Sequence, residues 1–520
     1  MLPVEALLPQ ITAELRENSG LVIAAPPGSG KTTKVAPALV DAGLCDASKR
    51  TYLLQPRRVA ARATAERIGF ERNWEVGKQV GYQVRFDTKA SRETAIIVAT
   101  EGILLRRISD DPTLEGVGTV ILDEFHERSL NGDLLLSMLR QIQQLVRDDL
   151  RIVVMSATLD AKPLKEYLNI ASVESDGSLH PVEVKYRPPK PRQRSQDHVS
   201  ETVQQTLLHS QGDILVFLPG VGEINKAYND LEPEVRKLDV TLFKLHGSLP
   251  LAEQQKVLRS SSHRRVILST NVAETSLTID GIRTVVDSGQ ARVLRYDPAV
   301  GIDRLQLEPI SRSSATQRAG RAGRLTDGTC IRLWDEKSQR ARAEFHEPEI
   351  RRVDLSAALL QLYRWGEDPT SFPWFEAPHE DSIAAAIRLL EQLGAVHSGR
   401  ITEVGVRMSA LPTSPRLARM LIGADDSLQD VAALLAAMLS ERDPFLRNAS
   451  HGKTRPIDRQ ARWDCDVTQR LLALKQFFDT QQTHSAFGEV HRNAAHNIKR
   501  VAKQLSGSQR MQLGQRTSKS

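Results

Sequence analysis

Leu21-Val-Ile-Ala-Ala-Pro-Pro-Gly-Ser-Gly-Lys-Thr32 is the stretch that decides the fold. An apolar run with strand character leads into glycines, and a lysine and a threonine then open a helix. A phosphate-binding loop requires that order. Gly28 and Gly30 let the backbone curl so that its N–H groups converge on phosphate oxygens, Lys31 reaches the outer phosphates, and Thr32 binds Mg²⁺. The candidate nucleotide-binding residues are Ala25, Pro26, Pro27, Gly28, Ser29, Gly30, Lys31, Thr32 and Thr33, with ATP and Mg²⁺ as the implied ligands. Ala25 stands where the strict pattern begins with Gly.

Outward from this loop, short apolar runs alternate with amphipathic stretches, the rhythm of a parallel sheet covered by helices. Candidate strands are Leu21–Ala25, Tyr52–Leu54, Ala95–Ala99, Thr119–Leu122 and Ile152–Met155. After a Pro/Arg-rich loop at Arg187–Arg194 the rhythm repeats at Ile214–Leu218, Leu242–Leu245, Val266–Ser269, Thr284–Val286 and Thr329–Leu333. Two α/β lobes in series follow. Beyond about residue 340 the strand signal fades, and Asp381–Leu393 spaces its apolar residues for a helix that Gly394 stops.

The 520 residues are enough for several domains with sizeable cores. No apolar run is long enough for a membrane span, and Met1-Leu2-Pro3-Val4-Glu5 lacks the pattern of a secretory signal, so a cytoplasmic address without membrane contact is expected. Cys45, Cys330 and Cys465 lie far apart and match no metal or disulfide spacing; they are read as reduced thiols. The net charge is +6, but residues 451–520 hold 13 Lys/Arg against 5 Asp/Glu, so the basic excess sits in the last segment. That excess fits either a solvated tail or a grip on phosphate backbone.

Val120-Ile-Leu-Asp-Glu-Phe-His126 is an apolar strand ending in two carboxylates. Beside a phosphate loop, Asp123 would hold Mg²⁺ through water and Glu124 would position and deprotonate the attacking water. Thr32, Asp123 and Glu124 form the candidate metal set. Ser156-Ala-Thr158 follows another apolar strand and supplies short hydroxyls. In the second lobe, Gln317-Arg-Ala-Gly-Arg-Ala-Gly-Arg324 places Arg321 and Arg324 three apart, on one face if the segment is helical. Two guanidinium groups there would meet a γ-phosphate offered by the first lobe, with small residues (Ala319, Gly320, Ala322, Gly323) leaving room for close approach.

With these residues, Gln55-Pro-Arg-Arg-Val-Ala-Ala-Arg62, Gly81-Tyr-Gln-Val-Arg-Phe86, Thr100-Glu-Gly102, Phe217-Leu-Pro-Gly220 and Thr270-Asn-Val-Ala-Glu-Thr-Ser-Leu-Thr-Ile-Asp280 complete a series in fixed order. The sequence resembles the DExH/DEAH-box helicases of superfamily 2, and within them the bacterial HrpB type, over about residues 20–330. Phe125 departs from the Ala of the DEAH name; with the Glu-Arg-Ser-Leu that follows, it points to that type.

The resemblance implies two tandem RecA-like lobes, 1–175 and 176–338, then a winged-helix-like region (339–400), a helical ratchet-like region (401–480) and a basic tail (481–520). It implies that Arg57, Arg58, Arg85, Thr100, Gly220, Thr270 and Asn271 line a nucleic-acid track. Thr278 and Asp280 would face nucleotide, and Gln317 would order the attacking water. Arg292–Leu307 is similar to the family's lobe-two β-hairpin, a strand-separating or gripping element. Relatives continue into an OB-like or family-specific domain, whereas this chain ends in a Ser/Gln/Arg/Lys-rich segment, Leu505–Ser520, read as low in order. The implied function is an ATP-dependent helicase or translocase on nucleic acid, with single-stranded RNA favoured, DNA possible and a protein cofactor unspecified. Two other readings are a P-loop ATPase that remodels nucleoprotein without separating strands and a catalytically dead nucleic-acid-binding scaffold. The complete set of Lys31, Thr32, Asp123, Glu124, Gln317, Arg321 and Arg324 argues against the scaffold.

Overall fold

The apolar runs pair into two sheets in a computed structural model that describes residues 2–26, 28–157, 161–175, 180–258, 263–274, 279–324, 326–446, 465–485 and 487–517. The first lobe contains β1 (Gly20–Ala24), β2 (Arg50–Gln55), β3 (Val80–Val84), β4 (Asp87–Lys89), β5 (Ile96–Thr100), β6 (Val117–Leu122), β7 (Arg151–Ser156) and β8 (Ala171–Glu174). Their order across the sheet is β4-β3-β5-β2-β6-β7-β1-β8, and every pairing is parallel except β3 with β4. The central strands are buried on both faces, as near-continuous Val, Ile and Leu runs require. Helices Leu8–Glu17, Lys31–Asp41 and Arg58–Arg72 cover one face and close a core around Leu39, Ile68 and Ile121.

The second lobe contains β9 (Val182–Tyr186), β10 (Asp213–Phe217), β11 (Thr241–Leu245), β12 (Arg265–Ser269) and β13 (Ile282–Asp287). Strands β14 (Gln290–Asp297) and β15 (Ile302–Pro309) follow, then β16 (Gly328–Arg332). Its six-stranded parallel sheet runs β11-β12-β10-β13-β16-β9, and β14 and β15 pair antiparallel as a separate hairpin. The hairpin expected at Arg292–Leu307 is thus present. Its turn closes where the Gly301 N–H donates to the Asp297 carbonyl at 2.8 Å, with Gly301 at φ +67°.

Strands β3, β4, β8 and β9 were not among the expected ones. Gly81 and Gln83 interrupt the apolar run of β3, while β8 and β9 are sheet edges whose residues are mostly exposed or half-buried. Gly81 is needed where β3 meets β4: a Cβ there would lie 2.5 Å from the Lys89 carbonyl oxygen.

Residues Met1–Asp354 and Pro373–Pro378 form one compact unit, and Leu355–Phe372 with His379–Ser520 form a second. The second unit is mainly helical, as expected, with helices Ser356–Trp365, Glu380–Gln392, Glu403–Ser409, Pro415–Gly423, Gln429–Ser440, Asp466–Thr480 and Arg492–Thr517. It also holds the small hairpin β17 (Val396–His397) and β18 (Arg400–Ile401), and the three short strands β19 (Phe445–Leu446), β20 (His484–Ser485) and β21 (Gly488–Val490).

The segment read as a basic tail, 481–520, carries structure: β20, β21 and the helix Arg492–Thr517, which runs into the part read as low in order, occupy most of 481–517. Ala495, Ile498, Val501, Ala502 and Leu505 are buried along that helix, which packs on the alanine-rich helix Gln429–Ser440. The Ser506 hydroxyl donates to Asp430 at 2.9 Å and the Asn497 amide to Glu441 at 3.0 Å. Charge counting hid this apolar face, because the basic residues lie between its members.

Candidate functional site

In an open parallel sheet the carboxyl ends of adjacent strands share one edge, and ligands are held there. The neighbours β2, β6, β7 and β1 deliver Gln55, Asp123, Ser156 and the glycine loop to that edge. Ala25 is tied down by its own N–H, which donates to the Ser156 carbonyl at 3.1 Å. Gly28 and Gly30 adopt φ +86° and +89°, the left-handed region where a side chain is strained, and Gly30 caps the helix that Lys31 opens. Pro26 precedes the turn, and Thr33 follows Thr32 into the helix; Pro27 lies outside the described residues.

Asp123 is the hub. Its Oδ2 accepts from Thr32 Oγ1 and from Gln55 Nε2, each at 2.6 Å, and its Oδ1 accepts from the Glu124 N–H at 2.8 Å. Gln55 was not among the expected site residues; only the pairing of β2 with β6 brings it to Asp123. Burial, with the Glu124 charge alongside, pushes the Asp123 carboxyl up to about 6. Burial opposes ionisation of Glu124 too, yet Lys31, ahead of Arg321 and Arg57, holds its carboxyl below the usual range. Lys31 Nζ lies 3.8 Å from Glu124 Oε1. The pair therefore splits into one raised and one depressed carboxyl.

His126 Nδ1 lies 3.5 Å from Glu124, but it accepts the Ala157 N–H at 3.2 Å, and burial lowers the ring's pKa. That nitrogen carries no proton for Glu124, so the contact is not an ion pair. The ring instead links the end of β6 to the loop after β7. Ser156 sits at the end of β7, and Thr158 lies outside the described residues.

Opposite stands the second lobe. The helix Arg312–Gly320 carries Gln317 and ends before Arg321, which caps it; Arg324 lies in the turn beyond. Arg321 and Arg324 therefore do not share a helix face as their spacing suggested; a turn brings them round. The small residues serve that turn: Ala319 and Ala322 pack into the lobe-two core, and a Cβ on Gly323 would lie 2.4 Å from the His180 carbonyl oxygen. Arg324 faces the phosphate loop, its Nε 3.8 Å from where a Cβ on Gly28 would stand. Burial, then the neighbouring Arg324, takes Arg321 well below the usual arginine range, and burial pushes Arg324 down to about 10.

Arg318 and Glu274 were not among the expected site residues. Arg318 is 1% exposed, donates to Glu274 Oε2 at 2.8 Å and Asp287 Oδ1 at 3.0 Å, and lies over the Phe217 ring. The Glu274 carbonyl in turn accepts from Arg321 Nε at 2.9 Å. Asp280 is exposed, its carbonyl bonded by Arg265 at 2.6 Å, and Thr278 lies outside the described residues.

A cleft of about 560 Å³ runs beside these groups, lined among others by Arg57, His126, Asn271, Gln317, Leu294 and Leu305. Arg57 spans the lobes: it donates to the Asn271 carbonyl at 3.3 Å and to Glu127 at 3.0 Å. Arg57 and Asn271, both expected on a nucleic-acid track, are thus brought together. Thr100 ends β5 beside Gln55, and Thr270 follows β12 next to the loop that carries Gly220 after β10. Arg58 is exposed at the start of its helix, and Arg85 lies over the Phe86 ring at 4.6 Å. Those five residues are absent from the lining of this cleft.

The residues fit the implied ligands. Buried Ser29 Oγ and Arg324 Nη1 have no hydrogen-bond partner among the described residues, as donors kept for phosphate oxygens would. No cluster of three or more His, Cys, Asp or Glu side chains forms a metal cage among the described residues. Thr32 and Asp123 suit Mg²⁺, which is commonly held by few protein groups together with substrate phosphates.

Sheet topology and site geometry together define a two-lobed P-loop fold of the helicase type. Models of the DEAD/DEAH box helicase domain match residues 6–167 and of the helicase conserved C-terminal domain 198–326. The winged-helix and ratchet-like parts of the helicase associated domain match 386–413 and 414–499. The chain belongs to the DEAH-box helicase family. It is 42% identical over 457 residues to the ATP-dependent RNA helicase HrpB of Escherichia coli, covering 87% of this chain and 56% of that protein. An ATP-dependent RNA helicase HrpA homolog of Haemophilus influenzae is 37% identical, covering 94% of this chain and 39% of its own length. A crystal structure of the E. coli DEAH/RHA helicase HrpB superposes with a TM-score of 0.82 at 38% identity, over 96% of this chain and 63% of that one. The chain thus spans little more than half the length of its HrpB relative. Among the described residues no helix is long and apolar enough to cross a membrane.

Proposed function

We propose that the chain is an ATP-dependent helicase or translocase acting on single-stranded nucleic acid, RNA by preference. The observation that carries this reading is the opposition of two half-sites. Thr32, Asp123 and Glu124 stand on one lobe; on the other Arg321 is buried and Arg324 half-buried, with their charged forms disfavoured. A triphosphate between the lobes would satisfy both. Mg²⁺ held by Thr32 and Asp123 would neutralise phosphate charge. Lys31 and the loop N–H groups orient the phosphates, and Glu124, ionised at neutral pH, takes the proton of the attacking water that Gln317 helps to place.

Arg321 and Arg324 meet the charge that develops on the transferred phosphoryl group, so hydrolysis waits on lobe closure. Arg57 and Asn271 already join the lobes across the cleft, and with Arg58, Arg85, Thr100, Gly220 and Thr270 they would track a strand by its backbone, largely without regard to sequence. The RNA preference rests on the names of the relatives.

The test is ATP turnover titrated with single-stranded RNA and with single-stranded DNA at two salt concentrations, beside a duplex-unwinding assay. Lys31→Ala and Glu124→Gln should each abolish stimulated hydrolysis while the protein stays folded; full activity in either removes the assignment. Stimulation by DNA alone removes the RNA preference, and ATP turnover without strand separation favours remodelling over unwinding.

A further inference from the structure

The turn that follows the carboxylate pair, Phe125–Glu127, is bounded by two non-glycine residues in left-handed backbone, Glu124 at φ +52° and Arg128 at φ +48°. Such residues persist where their surroundings over-determine them. Asp123 holds the Glu124 N–H from one side. On the other side, Arg128 forks onto Asp133 at 2.8 and 3.1 Å and reaches Glu376 at 2.8 Å.

Its guanidinium also lies 4.7 Å from the centroid of Phe375. The Phe375 ring meets Phe125 at 5.9 Å, tilted by 58°, and Tyr167 at 5.1 Å, edge to face. The backbone around Phe375 is pinned as well: its N–H donates to Ser137 Oγ at 3.1 Å, and Tyr167 Oη donates to the Pro373 carbonyl at 2.7 Å.

Phe375 and Glu376 belong to Pro373–Pro378, a short segment that packs with the two lobes although the chain on both sides of it belongs to the second compact unit. Phe125 occupies the position of the Ala in the family's name, and an alanine would present no ring to Phe375. A chain visitor therefore sits against the residue next to the base.

We propose that Phe375 is a positioning residue for hydrolysis: through Phe125 and Arg128 it holds the left-handed turn that aims Glu124, so turnover depends on the seating of Pro373–Pro378. The inference rests on the reading of Glu124 as the base. Phe375 touches neither Asp123 nor Glu124 in any contact described above, so its removal should leave nucleotide affinity intact while misaligning the base.

The experiment uses the full chain. Phe375→Ala should lower kcat for RNA-stimulated ATP hydrolysis about three- to tenfold, the scale of a lost aromatic contact, with KM for ATP changed less than about twofold. Phe375→Tyr should restore most of the rate. In a Phe125→Ala background, Phe375→Ala should cost less than it does alone, because the route through Phe125 is already cut and only that through Arg128 remains. Should Phe375→Ala fail to fold, Phe375→Leu, which keeps apolar bulk without the ring face, carries the same comparison. A folded Phe375 variant with unchanged kcat, or losses that multiply fully with Phe125→Ala, overturns the proposal while Glu124→Gln remains inactive. Wild-type turnover in Glu124→Gln would instead overturn the reading of the base.

Discussion

Arg318 and Arg321 stand three residues apart in one motif, both almost wholly buried, and their electrostatic environments are opposite. Arg318 overcomes its burial because Asp287 and Glu274 face it, and its pKa lies above the ordinary arginine value. Arg321 is held against a backbone carbonyl with Arg324 beside it, and its pKa falls well below that value. A buried cation beside carboxylates is part of the fold; one whose charged form is disfavoured suits an anion that arrives later. The same residue type in one motif thus meets two different environments, and two different jobs are proposed for it. Glu274 joins them, its carboxylate on Arg318 and its carbonyl under Arg321.

Substitution should separate these jobs. Arg321→Ala is expected to lower kcat for ATP hydrolysis on the order of 10³-fold, as for arginine fingers in related phosphoryl transfer, with no loss of thermal stability. A marked fall in Tm would break the contrast. Arg318→Ala should do the reverse, destabilising the protein by about 3–5 kcal/mol because Glu274 and Asp287 are left as uncompensated buried charges. Denaturant unfolding measures it, and unfolding unchanged from wild type would show that the pairs are not structural.

Glu274→Gln lies between. It weakens the anchor of Arg318 yet keeps the carbonyl under Arg321, so stability should fall by about 1–3 kcal/mol while the turnover of the folded fraction stays near wild type.

A last effect, the smallest per pH unit, concerns a half-buried group of the opposite sign in the first lobe. Burial pushes the Glu101 carboxyl up to about 8, even though Ser129 Oγ donates to it at 2.6 Å, and Glu349, Glu127 and Asp133 add to the shift. The folded protein keeps a proton there that the unfolded chain releases above 4.5. This contribution to stability is fully present below that pH and is lost as pH rises towards about 8. Glu101→Gln has no charge to acquire, so its stability, followed through Tm, should gain on wild type across that window by at most about 1.4 kcal/mol per pH unit. Parallel Tm curves would show that Glu101 ionises normally.

Much of the first 330 residues was legible because the physical signals were local. Apolar runs buried on both faces identified the central strands, and Gly28 and Gly30 before Lys31 identified the phosphate loop. Edge strands such as β9 escaped because a mostly exposed Val182–Tyr186 has no need of an apolar run. The final helix escaped because small apolar residues such as Ala495 and Ala502 are quiet beside many lysines and arginines. Gln55, Glu274 and Phe375 escaped for another reason: each acts on a residue far away in the chain.

The sequence by itself determined the residues proposed to bind phosphate, metal and water, Lys31, Thr32, Asp123 and Glu124, because each chemistry is tied to a side chain and its immediate neighbours. Tertiary structure alone decided which arginine is anchored by carboxylates and which has another arginine beside it, and which aromatic packs on the turn after Glu124. Burial and charge environment are sums over residues that only folding brings together, and spacing along a chain carries no record of them.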